Sequence, residues 1–113
     1  MNIVFVKTAS IRMPAGLEID DIAEVQALLA PAEWADEAIL DFTELPAISA
    51  TVLGALIALV NSMVGHNRLG VVRIVGANPK TLRIFKLCRA DSLFDLSGAE
   101  RDVLQIRGRV YAN

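Results

Sequence analysis

Residues 38–75 read AILDF, TELPAISA, TVLGALIALVNSMVG, HNRLG, VVRIV, and how these five pieces are assigned decides the fold. Ala38-Ile39-Leu40-Asp41-Phe42 is a short aliphatic run with an acid near its end, which predicts a strand. Residues 43–50 contain Pro46 and read as a loop. From Thr51 to Gly65 the apolar residues recur at helical spacing. Asn67-Arg68-Leu69-Gly70 makes a turn, and Val71-Val72-Arg73-Ile74-Val75 is the strongest strand signal in the chain. A helix between two such strands predicts a crossover joining parallel neighbours of one sheet.

The pattern extends in both directions. Toward the N-terminus, Ile3-Val4-Phe5-Val6 and Ile11-Arg12-Met13 read as two short strands joined by Thr8-Ala9-Ser10, and Pro14-Ala15-Gly16 stops the second. Asp20 is a candidate cap for a helix carrying Ile22, Val25, Leu28 and Leu29, which Pro31 ends. Trp34 sits in the connection that follows. Toward the C-terminus, Asn78 caps a helix with Pro79 at its first position, where the missing N–H costs nothing. Leu82, Ile84, Phe85 and Cys88 fall on one face of that helix, and Lys80, Arg83 and Lys86 on the other. Leu93-Phe94 reads as the start of a last short strand, and Ser97 as the cap of a final helix through Ile106. The expected architecture is α/β: a mixed β-sheet of four to five strands with about four helices packed on it. Residues 1–113 are expected to form a single domain.

The helix over 51–65 divides into two unlike faces. Val52, Leu53, Leu56, Ile57, Leu59, Val60, Met63 and Val64 gather within about 160° of arc, wide enough to pack on a sheet. The opposite side carries Thr51, Gly54, Ala55, Ala58, Ser62 and Gly65, all small and none charged. An ordinary solvent face would carry Glu, Lys or Arg. Two readings compete: another part of the domain covers the small face, or a partner protein docks on it, since small residues let a second backbone approach closely. Residues 45–64 also match a membrane span in length and lack of charge. Pro46, Ser49, Thr51, Asn61 and Ser62 interrupt them, so a buried soluble helix is expected rather than direct membrane insertion.

Composition narrows the possible functions. A 54% apolar share with few aromatics suits an ordered aliphatic core. The net charge of −2 gives no global attraction to nucleic acid. Charge is unevenly placed: residues 1–60 carry Lys7 and Arg12 against nine acids, whereas residues 61–113 carry nine bases against Asp91, Asp95, Glu100 and Asp102. With one cysteine, Cys88, and one histidine, His66, no internal disulfide, thiolate cluster or histidine metal site can be assembled. Met1-Asn2-Ile3 lacks the basic region of a secretory signal, so a cytoplasmic location is expected.

The remaining candidates have mostly structural readings. No phosphate-loop pattern surrounds Gly70 or Gly76. Glu18, Asp20 and Asp21 suit the positive end of a helix dipole better than a cation site. Asp41 either orients the loop that follows it or is a solvated strand-end acid. His66 near a helix C-terminus suits the dipole, and Cys88 reads as a buried small hydrophobe. Lys80, Arg83 and Lys86 form a basic edge, read as solvated, with an acidic-partner or phosphate patch as the alternative. No acid–base pair, nucleophile or metal constellation emerges, so neither enzymatic activity nor a cofactor is expected.

From Asp41 onward the sequence resembles the STAS family, which includes the bacterial anti-sigma factor antagonists. That family's pattern runs roughly D-x-S-x-V-x-F-I-D-S-S-G-L-G-x-L. Here the same register reads Asp41-Phe42-Thr43-Glu44-Leu45-Pro46-Ala47-Ile48-Ser49-Ala50-Thr51-Val52-Leu53-Gly54-Ala55-Leu56 without a gap. The Gly70 turn, the 71–75 strand, the Asn78-Pro79 helix start, residues 88–94 and residues 13–18 match in order, so the resemblance covers nearly the whole chain. It implies a protein-binding switch component in which the first serine after the loop aspartate is phosphorylated by a partner kinase, breaking a complex. A phosphate brings up to two negative charges that an apolar partner face cannot accept.

The match fails at the slot that matters. Ser49 replaces the family's aspartate, Ala50 its phosphorylated serine, and Val52 the glycine two places later. Ala50 has no hydroxyl to modify. Ser49 and Thr51 remain as shifted acceptors, or as caps for the helix. The resemblance thus implies a module that binds an anti-sigma factor or serine kinase through Ile48, Ser49, Ala50, Thr51, Gly54, Ala55, Ala58 and Ser62. A homodimer through the small face is a further option. Other expectations are an accessory subunit of a membrane transport complex and a sensor holding a small molecule beside the Ser49 loop.

Overall fold

A computed structural model describes residues 7–15 and 22–98 of the chain. Strand β1 (Thr8–Arg12) is followed by helix α1 (Ile22–Leu29), a 3-10 turn (Ala30–Ala32), β2 (Glu37–Asp41), α2 (Ala50–Gly65), β3 (Val71–Val75) and α3 (Pro79–Leu87). The strands lie in the order β1-β2-β3, and both pairs are parallel. Ser10, Ile39 and Arg73 stand level across the sheet.

The sheet is therefore parallel among the described residues, where a mixed one was expected, and it holds three strands and three α-helices rather than four to five and about four. The N-terminal difference has a clear cause. Thr8-Ala9-Ser10, expected as a connector, is strand, because its backbone pairs with Glu37-Ala38-Ile39 of β2. The ladder runs on to Met13, whose N–H donates to the Asp41 carbonyl at 2.8 Å. Long-range pairing has overridden weak local strand preference. The 3–6 strand, the Asp20 cap, the Glu18, Asp20 and Asp21 cluster and a helix through Ile106 fall wholly or partly outside the described residues.

The C-terminal strand expected at Leu93-Phe94 is not formed. Those residues lie in a turn, and pairing shrinks to a single parallel bridge one residue later, between Arg73 and Asp95. The Asp95 N–H donates to the Val72 carbonyl at 2.8 Å, and Ile74 N–H to the Asp95 carbonyl at 3.0 Å. The Arg73 guanidinium adds a side-chain bond to the Asp95 carboxylate at 3.1 Å.

Alternation along the strands assigns their faces. Ala38 and Leu40 of β2 and Val72 and Ile74 of β3 are buried, while Ile39 and Arg73 between them are half-covered. Against the buried face pack Val25 and Leu29 of α1 and Val52, Leu53, Leu56, Leu59, Val60 and Met63 of α2. Full burial of one such side chain contributes about 1.5–3 kcal/mol. Val64, grouped with this set by periodicity, is instead 55% exposed at the end of α2. Phe85 of α3 closes the other flank, edge-on to Phe42 at 6.5 Å and to Phe94 at 5.1 Å between ring centroids. No helix among the described residues is long and apolar enough to cross a membrane.

Candidate partner-binding surface

The loop between β2 and α2 is tied at three places. At its entry the Asp41 carboxylate accepts the Thr43 N–H at 2.9 Å and the Thr43 hydroxyl at 2.5 Å. This resolves the two readings of Asp41: it orients the loop. Gly76, just past β3, makes the arrangement possible. It sits at φ +71°, and a Cβ there would collide with the Thr43 hydroxyl and come within 3.0 Å of the Asp41 carboxylate. Arg12 lies 3.9 Å from both Asp41 and Glu44, too exposed for either pair to hold much.

In the middle of the loop, Leu45 and Ile48 are buried as apolar anchors, and the Asn78 amide donates to the Pro46 carbonyl. Asn78 also caps α3, its Oδ1 accepting the Thr81 N–H at 2.9 Å. The capping role is legible in the Asn-Pro pair. The bond to a residue 32 positions away has no local sequence signal.

At the loop's exit Ser49 is the N-cap of α2, its hydroxyl accepting the Val52 N–H at 3.2 Å. The capping reading of Ser49 is thus the one seen, and α2 begins at Ala50, one residue earlier than periodicity suggested.

The small face of α2 is half covered. Ala55 is 7% exposed and Ser62 donates its hydroxyl to the Glu33 carboxylate at 2.9 Å, both beneath the α1 side of the domain. Ala50, Gly54, Ala58 and Gly65 are exposed, and Thr51 is half-buried. Between α1 and α2 runs a groove of about 500 Å³ floored by Leu29, Ala55 and Leu59, with Glu33 and Ser62 at its polar side. Of the eight residues expected to meet a partner, Ile48 and Ala55 are core and offer almost no surface. Ala50, Gly54 and Ala58 form the open strip.

Two other residues differ from expectation. Cys88, expected as a buried hydrophobe, is exposed, because α3 stops at Leu87 and Cys88 becomes its C-cap. His66 is the C-cap of α2, as its position suggested, and its ring also stacks on Trp34 with centroids 3.6 Å apart. The Arg68 guanidinium lies 6.0 Å from the Trp34 ring centre. That cluster joins segments 32 residues apart and could not be read from either alone.

No protein-family model matches the chain. No curated protein matches it either. Solved structures do match in shape. The anti-sigma factor antagonist SpoIIAA in its unphosphorylated form superposes with a TM-score of 0.66 at 14% identity, over 99% of this chain and 95% of that one. A crystal structure of a proposed anti-sigma factor antagonist from Thermotoga maritima gives 0.59 at 12% identity, over 93% and 82% of the two chains. An NMR structure of the protein TM1081 gives 0.66 at 13% identity, over 94% and 83%. At such identities the likeness concerns the fold alone: the chain has the fold of the anti-sigma factor antagonists, the STAS fold.

Proposed function

We propose that this chain is a non-enzymatic, cytoplasmic regulatory module that binds an anti-sigma factor or a related serine kinase in a partner switch. The observation that carries the reading is the exposed, uncharged strip Ala50, Gly54 and Ala58, running from the head of α2 to its middle, with the preceding loop fixed at both ends. Small residues on a rigid helix admit a second backbone at close range, and a surface already ordered loses little entropy on binding. The phosphorylated serine that the sequence resemblance implies at this slot is here Ala50, so the module is held in its binding-competent form or is regulated elsewhere.

Two measurements test this. Immobilised wild-type protein should retain a sigma-regulating or kinase-fold protein from native lysate, and Gly54→Lys should release it. Recovery of a transporter ATPase subunit instead would favour the accessory-subunit role and reject this one. Incubation of the complex with ATP, followed by mass spectrometry, should leave Ser49 and Thr51 unmodified. Stoichiometric phosphate on either would overturn the locked form.

A further inference from the structure

The exposed side of α3 combines features that work against its own stability. Lys80 lies in the first turn of the helix, where the dipole favours an acid, and that turn contains none. Arg83 and Lys86 follow at three-residue spacing, so like charges neighbour one another along the helix. Residues 76–90 contain no acid at all, and no ion pair reaches Lys80, Arg83 or Lys86 among the described residues. On the same stripe, four residues beyond Arg83, Leu87 is 74% exposed, more than any other large apolar side chain described. Pro79, Leu82, Arg83 and Lys86 line a shallow, open depression of about 220 Å³ on the same helix. Three cations with no acid among them, on the same stripe as a largely exposed leucine, give this face both charge and apolar area to offer a partner.

We propose that this face receives an acidic amphipathic segment of the protein partner, its carboxylates meeting Lys80, Arg83 and Lys86 and its apolar side chains covering Leu87 and the shallow depression over Leu82. The inference rests on the reading that the chain binds a protein at the head of α2, and adds the partner's chemistry. The Asn78 bond to the Pro46 carbonyl places the start of α3 beside the α2 loop, so one partner can span both. Charge complementarity favours an acidic occupant, and the first-turn position of Lys80 adds the helix dipole to the attraction. A phosphate backbone would use the cations but leave Leu82 and Leu87 without a partner, and the chain's net charge of −2 opposes it.

The test uses the full chain and a fluorescent helical peptide of about 18 residues, Glu-rich with leucines four apart. Its controls are a scrambled peptide, a labelled duplex DNA, and phosphatidylcholine vesicles containing about one third phosphatidylserine. Anisotropy should show binding of the patterned peptide that weakens as salt rises from about 0.05 M to about 0.5 M. The double change Lys80→Glu with Arg83→Glu should weaken it about tenfold or more, and Leu87→Ala severalfold, with unchanged circular dichroism. Equal binding by the scrambled peptide, indifference to the variants, or tighter binding of DNA or vesicles would overturn the proposal. The two readings also fail separately. If the lysate partner binds the charge-reversed variant unchanged, the acidic segment is refuted and the α2 site stands. If the peptide binds α3 but no sigma-regulating or kinase-fold protein is retained, the α2 reading falls instead.

Discussion

Adding the same methyl group at two glycines should have opposite effects. Gly76→Ala forces a Cβ into the left-handed region at φ +71°, which costs an L-residue about 1–2 kcal/mol. The methyl also lands on the Thr43 hydroxyl and crowds the Asp41 carboxylate at 3.0 Å and the Thr43 nitrogen at 3.1 Å. Moving Thr43 aside breaks its bonds to a charged acceptor, a loss of about 1.5–3 kcal/mol. The stiffer unfolded chain returns about 0.4–1 kcal/mol. A net destabilisation of about 2–4 kcal/mol follows, a large share of the about 5–15 kcal/mol that holds a domain together. Gly54 lies inside α2 and a Cβ there meets nothing within 4 Å. Gly54→Ala should therefore stabilise by about 0.5–1 kcal/mol through helix propensity. Urea unfolding followed by the fluorescence of Trp34, the only tryptophan, measures both. A Gly76→Ala midpoint within error of wild type would mean that the Asp41–Thr43 tie does not constrain the loop. A destabilised Gly54→Ala would mean that the head of α2 is covered.

Cys88, at the exposed C-cap of α3, should react completely with a thiol reagent in the folded protein, and Cys88→Ser should change stability by less than about 0.5 kcal/mol; reaction only on unfolding would contradict its position. Hydrogen bonds from the Ser97 hydroxyl and N–H, and then from Arg73, hold the Asp95 carboxyl below its ordinary value of 3.8. A depressed carboxylate contributes stability that is fully present above that value and is lost as pH falls through the lower folded-state value. Asp95→Asn should therefore flatten the acid limb of stability against pH, and an unchanged limb in a urea series from neutral pH downward would refute the assignment.

Legibility followed the range of the interactions. The helix α2 was readable because its burial period is written into consecutive residues, and the caps Ser49 and Asn78 because capping acts over three positions. Thr8–Ser10 were not readable as strand, since what makes them so is the backbone of β2 about thirty residues away. On the small face of α2, Ala55 and Ala58 are chemically identical in sequence. Both line the groove between α1 and α2, yet tertiary packing buries the first and leaves the second exposed. Cys88 has the helical phase of a core residue, but the helix stops one residue before it, and past that end the phase no longer points the side chain inward. Composition marks the candidate strip, and tertiary cover narrows it.

The way the loop is held bears on how such a module can be switched. A phosphate on a helix-capping serine acts as a switch through the charge it brings to the surface, because its oxygens can take over the cap. Here the Ser49 hydroxyl is the cap of α2, and a phosphate on it would lie at the positive end of the helix, where the dipole and the first-turn N–H groups favour an anion. With Ala50 at the acceptor slot that the sequence resemblance implies, and Ser49 proposed to stay unmodified, the proposed release of a partner acts on a surface other than the head of α2. The cations of α3 are then the more adjustable half of the proposed interface. Their attraction is screened by salt and cancelled by any phosphate or acidic competitor that reaches them, whereas the strip on α2 carries no charge for such agents to act on.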